Sequence, residues 1–140
     1  MNTRCCRLTV AVAAVTLFAS SGAYAHEDER IPTGTPERLG EVSFPISCTA
    51  AAQEEFNRGV AILHSFYYPA ALRSFGKVTQ LDPDCAMGYW GIAMSTWYPL
   101  WFPPTRESLL QGRAAVEKAR TLGPRTGRER GYVAAIGAFY

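Results

Sequence analysis

The chain has 140 residues, with 14 Lys and Arg against 12 Asp and Glu and a formal net charge of +2. That length suits one domain, and so slight a positive charge gives no electrostatic case for nucleic acid as a partner. Hydrophobic residues make up 48%, but the N-terminal segment inflates that figure, and its apolar run over residues 8–19 is too short for a transmembrane helix.

Residues 1–25 have the order of an export signal: Arg4 and Arg7, the apolar run, then Ala23-Tyr24-Ala25 as an A-x-A cleavage site. Cleavage there makes His26 the first residue, removes Cys5 and Cys6, and leaves twelve basic and twelve acidic residues. The expected location is across the inner membrane, in an oxidising, periplasmic compartment, with no membrane association after cleavage. The remaining charge is polarised. Residues 26–85 carry nine acids and five bases, and residues 86–140 carry three and seven. Such asymmetry either orients a charged partner or reflects solvated helix faces.

Residues 26–48 read as an extended leader, polar and bearing Pro and Gly, with Val42, Phe44 and Ile46 available to pack on the first helix pair. From residue 49 the period becomes helical. Thr49 is a capping residue for a helix over residues 50–66, with Glu54 and Glu55 near enough to its start to favour the dipole. Phe56, Val60, Leu63 and Tyr67 recur at helical spacing along it. Tyr67-Tyr68-Pro69 turns into a second helix over residues 69–80, where Ala71, Phe75 and Val78 repeat the step.

Leu81-Asp82-Pro83 ends that helix, and Asp84 is positioned to cap a third, carrying Ala86, Tyr89, Ile92, Ala93 and Thr96. This spacing places Tyr89 inward and Trp90 beside the neighbouring helix. The run WYPLWFPP follows over residues 97–104. Thr105 then caps a fourth helix with Glu107 in its first turn and Leu109, Gly112, Val116 and Ala119 as its inward stripe. Gly123-Pro124 stops it. Thr126-Gly127-Arg128-Glu129 is a capping box opening a fifth helix, whose apolar face is Tyr132, Ala135, Ile136 and Phe139. The fold class predicted is all-α, antiparallel helical hairpins with five helices.

At residues 53–94 the chain resembles the tetratricopeptide repeat (TPR), a 34-residue helix-turn-helix unit that stacks into an α-solenoid. Gly59, Tyr68, Ala71, Phe75 and Pro83 fall at the family's positions, and Gly59 and Ala93 are 34 residues apart. The small residues permit close helix approach, with Phe75 filling the gap between them. The usual Gly of the inter-helix turn is Phe66, and the first helix lacks its usual Trp. HSFYY with DPDCAMGYWGIAMS looks like a group of exported bacterial TPR proteins.

The resemblance implies a non-catalytic scaffold over residues 49–140 that binds a protein or peptide on its concave helix face. Relative to a regular repeat, about seven residues are inserted at the turn near residues 97–104, and such insertions map to one face, often the binding face. The candidate partner contacts are Asn57, His64, Trp97, Trp101 and Arg106. Trp97 and Trp101 sit where no helix can bury them fully, as anchors for a ligand, a plug over the groove, or a contact with further repeats. Because the third repeat shows only its first helix, the chain reads as truncated there. A purely structural N-terminal cap of a longer protein is the plainer alternative.

Cys48 and Cys85 each precede the first helix of a repeat, so stacking brings them together as a disulfide; free thiols or soft metal ligands are the alternatives, although no CxxC spacing supports a metal. No carboxylate pair, Gly-rich phosphate loop or Ser-His-Asp order suggests catalysis, and no cofactor is implied. The competing reading is a copper-binding protein or enzyme component. His26 would offer its amine and imidazole, and His64 would complete the site. Met87 and Met94 are seven apart on one helical face, as core filler.

Overall fold

The computed structural model describes residues 39–97 and 103–140; residues 1–25, expected to be an export signal, lie outside them, as do His26 and Trp101. Five helices follow one another: α1 (Ala50–His64), α2 (Tyr68–Leu81), α3 (Ala86–Thr96), α4 (Arg106–Leu122) and α5 (Gly127–Gly137). No strand occurs among the described residues, and the fold class is all-α.

Side-chain chemistry sets most of the helix ends. The Thr49 hydroxyl accepts from the Ala52 amide, and Thr105 accepts from Ser108. The capping box at the start of α5 is complete in both directions, Thr126 to Glu129 and back, so two otherwise orphaned amides are satisfied. Pro69 lies in the first turn of α2, where its missing N–H leaves no gap. Gly123 ends α4 in the left-handed region at φ 72°.

The end of α1 is less ordinary. The Phe66 amide donates to Leu63 and the Tyr67 amide to Ile62, the paired bonds of a Schellman stop, with Phe66 itself at φ 63°. A left-handed conformation is routine for Gly and strained for a bulky side chain. The helix therefore stops two residues before residue 66, because Phe66 has already turned the chain.

The expected cap at Asp84 is replaced by another device. Cys85 is the N-cap of α3 and makes no side-chain cap bond. Asp82 serves the junction instead: one carboxylate oxygen accepts from the Asp84 amide at 3.2 Å and the other from the Thr49 amide at 2.8 Å. One side chain thus ties the end of α2 to the start of α1. The Cys48–Cys85 disulfide joins the same two regions across 37 residues.

Each helix packs on its successor, and α3 also touches α1 and α5. Phe75, fully buried on α2, is the wedge between layers. A Cβ at Gly59 would lie 2.9 Å from its ring and one at Gly91 only 2.1 Å. The notch that α3 offers Phe75 is therefore Gly91, two residues before Ala93. Ala93 is fully buried too, but it instead gives its carbonyl to the Tyr140 hydroxyl at 2.7 Å.

Three inward stripes differ from the periodic reading. Trp90 is buried at 6% exposure and packs against Phe56, Phe75 and Tyr132, whereas Tyr89 is half-buried with the Lys118 ammonium over its ring. The reason is that α3 is surrounded by α1, α2, α4 and α5, so small and apolar residues occupy nearly all its sides and no single face is marked. On α4 the inward set is Gly112, Ala115, Val116 and Ala119, with Leu109 exposed; on α5 it is Glu129, Val133 and Ile136, with Tyr132 and Ala135 left accessible, as is Phe139 just beyond the helix end.

Glu55 does not serve the α1 dipole. It is buried, accepting from Ser74 Oγ at 2.7 Å and Lys77 Nζ at 2.9 Å, with Arg58 at 3.3 Å. Burial raises its pKa, but Lys77, the Ser74 hydroxyl and Arg58 together overcome this and hold it below the ordinary glutamate value.

Candidate functional site

Between α1, α3 and α5 lies an open groove of about 480 Å³. Val60, Leu63 and His64 come from α1 and Trp90 and Met94 from α3, while Tyr132 comes from α5. Phe66 contributes from the α1–α2 turn, Tyr68 from the first residue of α2 and Trp97 from the end of α3. The remaining wall, Phe44, belongs to the leader. Helical repetition produces this surface: Val60, Leu63 and His64 are neighbours on α1, as Trp90 and Met94 are on α3.

The groove is strongly aromatic. Phe44 sits 5.1 Å from Tyr132, 5.3 Å from Phe56 and 5.8 Å from Trp90, ring centre to ring centre. Two of the aromatic linings keep large accessible areas, Phe66 at 54% and Tyr132 at 39%. Trp97 is partly buried, its ring lying tilted by 60° against that of Phe139. Aromatic side chains supply rigid contact area at small entropic loss, the property that makes them anchors in recognition. The chemistry available is binding by apolar and stacking contact, with the exposed His64 as the polar group at the rim.

Phe44 is held by the main chain around it. The Gln53 carboxamide spans two leader residues, donating to the Phe44 carbonyl at 2.9 Å and accepting from the Ile46 amide at 2.7 Å. Asn57 Oδ1 accepts from the Phe44 amide at 3.3 Å and from Gln53 Nε2 at 2.9 Å. From the other side, Arg128 donates to the Pro45 carbonyl and Arg125 to the Ser47 carbonyl at 3.0 Å. Glu129 accepts from the Ser47 amide at 2.6 Å and its hydroxyl at 3.0 Å. Burial raises the Glu129 pKa, but the amides and hydroxyls of Ser47 and Thr126 overcome that and leave it below the ordinary value. Among the described residues α1 and α5 make no close backbone approach, and this leader segment bridges them.

The five expected contact residues therefore have different surroundings. His64 and Trp97 line the groove together. Asn57 faces the leader, its amide oxygen already engaged. Arg106 is exposed at the first turn of α4, away from the groove lining. Trp101 lies outside the described residues, as does His26 of the copper reading. No group of three or more His, Cys, Asp or Glu placed to hold a metal ion occurs among the described residues. None of the described helices is long and apolar enough to cross a membrane.

Gln53, Arg125 and Arg128 were absent from the sequence-based set. The only sequence signal for them is the i, i+4 spacing of Gln53 and Asn57, two amides on one helix face above an extended segment. Comparison with protein-family models, curated proteins and solved structures returns no match.

Proposed function

We propose that the chain is a non-catalytic scaffold of the tetratricopeptide-repeat kind, exported to the periplasm, and that it binds an apolar segment of a protein or peptide in the groove between α1, α3 and α5. The observation that carries this reading is the groove itself: about 480 Å³ lined by six aromatic side chains from three helices, a turn and the leader. The solenoid arrangement is supported by each helix packing on its successor and by α3 touching both α1 and α5. Phe66 supports it as well, because a strained left-handed residue is kept where a Gly would relieve the backbone, and its ring lines the groove.

The test is a panel of ten-residue peptides carrying apolar residues at alternate or helical spacing, titrated against the signal-cleaved chain by fluorescence anisotropy. A subset should bind with micromolar affinity, and Trp97→Ala should weaken those peptides about tenfold, as loss of a central aromatic anchor does. Absence of any peptide binding with a Kd below about 1 mM, a binding free energy of about −4 kcal/mol, would refute the reading.

A further inference from the structure

We infer that the cleft between α1 and α5, beside the groove, is a second peptide site that reads main chain, and that residues 44–47 of the leader are its built-in occupant. Its ligand class is an extended segment with the order aromatic, proline, aliphatic, hydroxyl. This rests on the peptide-binding reading of the groove, which it adjoins at Phe44.

The argument begins with the polar groups of the segment. The amide and carbonyl of Phe44, the carbonyl of Pro45, the amide of Ile46 and the amide and carbonyl of Ser47 all end on side chains of α1, of α5 or of Arg125 just before α5. None of these bonds runs within the leader. A surface connection ordinarily satisfies its main chain through its own turns and through water. Here a receptor-like surface has side chains placed on both edges of an extended chain, the arrangement by which extended peptides are recognised.

Side-chain readout accompanies it. Residues 42, 44 and 46 are partly buried while 43 and 45 are exposed, the alternation of a strand without a sheet. The Phe44 ring lies among Phe56, Trp90 and Tyr132 with the Arg128 guanidinium 5.0 Å from its centre. Ser47 supplies both its amide and its hydroxyl to one carboxylate. Pro45 holds the extended conformation in advance and exposes no amide that would need a partner.

Tethering explains why the leader wins the cleft. Ser47 is next to disulfide-bonded Cys48 and three residues from the start of α1, so its effective concentration at the cleft is on the order of millimolar or higher. A free peptide of the same chemistry enters only at millimolar concentration, when the tethered one is weakened, or when a partner lying in the groove reaches past Phe44 and replaces it.

The experiment uses a fluorescent peptide of residues 41–47, Glu-Val-Ser-Phe-Pro-Ile-Ser, titrated against the full chain and its Phe44→Ala variant. The variant should bind about tenfold more tightly than wild type, because its own leader competes less well. Adding Asn57→Ala to that variant should remove most of the gain, and a scrambled peptide should show none. A helical Phe44→Ala variant binding no better than wild type, or a double variant retaining the gain, would overturn the inference. If Phe44→Ala does not fold, hydrogen exchange on the wild-type chain decides. The Phe44, Ile46 and Ser47 amides should exchange faster with millimolar peptide, and unchanged rates would overturn it. Trp97→Ala should leave this peptide's affinity unaltered while weakening groove ligands, so the two readings fail separately.

Discussion

Gly91→Ala and Gly76→Ala make the same chemical change inside two neighbouring helices, and the structure predicts opposite behaviour. Replacing Gly by Ala in a helix interior is worth about 1 kcal/mol in propensity. At Gly76 the added methyl meets nothing within 4 Å, so the variant should be more stable by about that amount. At Gly91 the methyl would lie 2.1 Å from Phe75 Cδ1 and 2.3 Å from Cγ, far inside the carbon–carbon optimum of about 3.5–4.0 Å. The ring has little room to retreat, since Gly59 also lies against its Cδ1 and Cε1 atoms and Phe56 is 5.5 Å from it, centre to centre. Overpacking of this kind costs about 1–3 kcal/mol. The propensity gain is common to both variants and cancels in their difference, so Gly91→Ala should be less stable than Gly76→Ala by about 1–3 kcal/mol. Thermal melts followed by circular dichroism should separate them by at least about 4 °C. Adding Phe75→Leu to Gly91→Ala should recover part of the loss, as coupled neighbours do. Equal stability of the two glycine variants would refute the wedge, and with it the layer contact that positions the groove.

Phe66→Gly removes left-handed strain of about 1 kcal/mol but adds unfolded-chain freedom costing about 0.5–1 kcal/mol. Stability should therefore hardly change in a melt, while groove affinity falls in the peptide titration. Replacing Cys48 and Cys85 together by Ser opens a 37-residue separation, a loss of about 4 kcal/mol in the chain-entropy model, measurable by urea unfolding. The pH dependence has a definite sign. Glu129 and Glu55 titrate below their ordinary value of 4.5 in the folded state, so the unfolded chain takes up protons first on acidification. The stability they contribute is present above that value and is lost as pH falls through the folded pKa values. Glu129→Gln should be less stable than wild type at pH 7 and should show a shallower decline between pH 5 and 3 in urea unfolding.

The helices were readable because their ends are written locally: Thr49, Pro69, Thr105, Gly123 and the pair Thr126 and Glu129 each act within a few residues of themselves. What escaped depends on residues far apart in the chain. Glu55 finds Lys77 22 residues on, and Glu129 finds Ser47 82 residues back, distances at which no periodicity carries information. On α3 the failure has another cause. Tyr89 and Trp90 could not be ordered by spacing, since a helix with neighbours on nearly every side has no marked face. Val42, Phe44 and Ile46 were visible as a packing segment, but the central place of Phe44 in the aromatic cluster arises only when α1, α3 and α5 are assembled around it. Of the expected contacts, His64 and Trp97 line one groove, whereas Gln53, Arg125 and Arg128 announce themselves only through the leader they hold.

The most direct test of the groove is a nuclear magnetic resonance titration of the full chain with the tightest peptide of the panel, following the Trp90 and Trp97 indoles and the methyls of Val60, Leu63 and Met94. The account predicts saturable shifts at those groups with the Leu110 methyls, exposed at 59% on α4, left unmoved. Shifts centred on Leu110, with the groove unchanged, would contradict it.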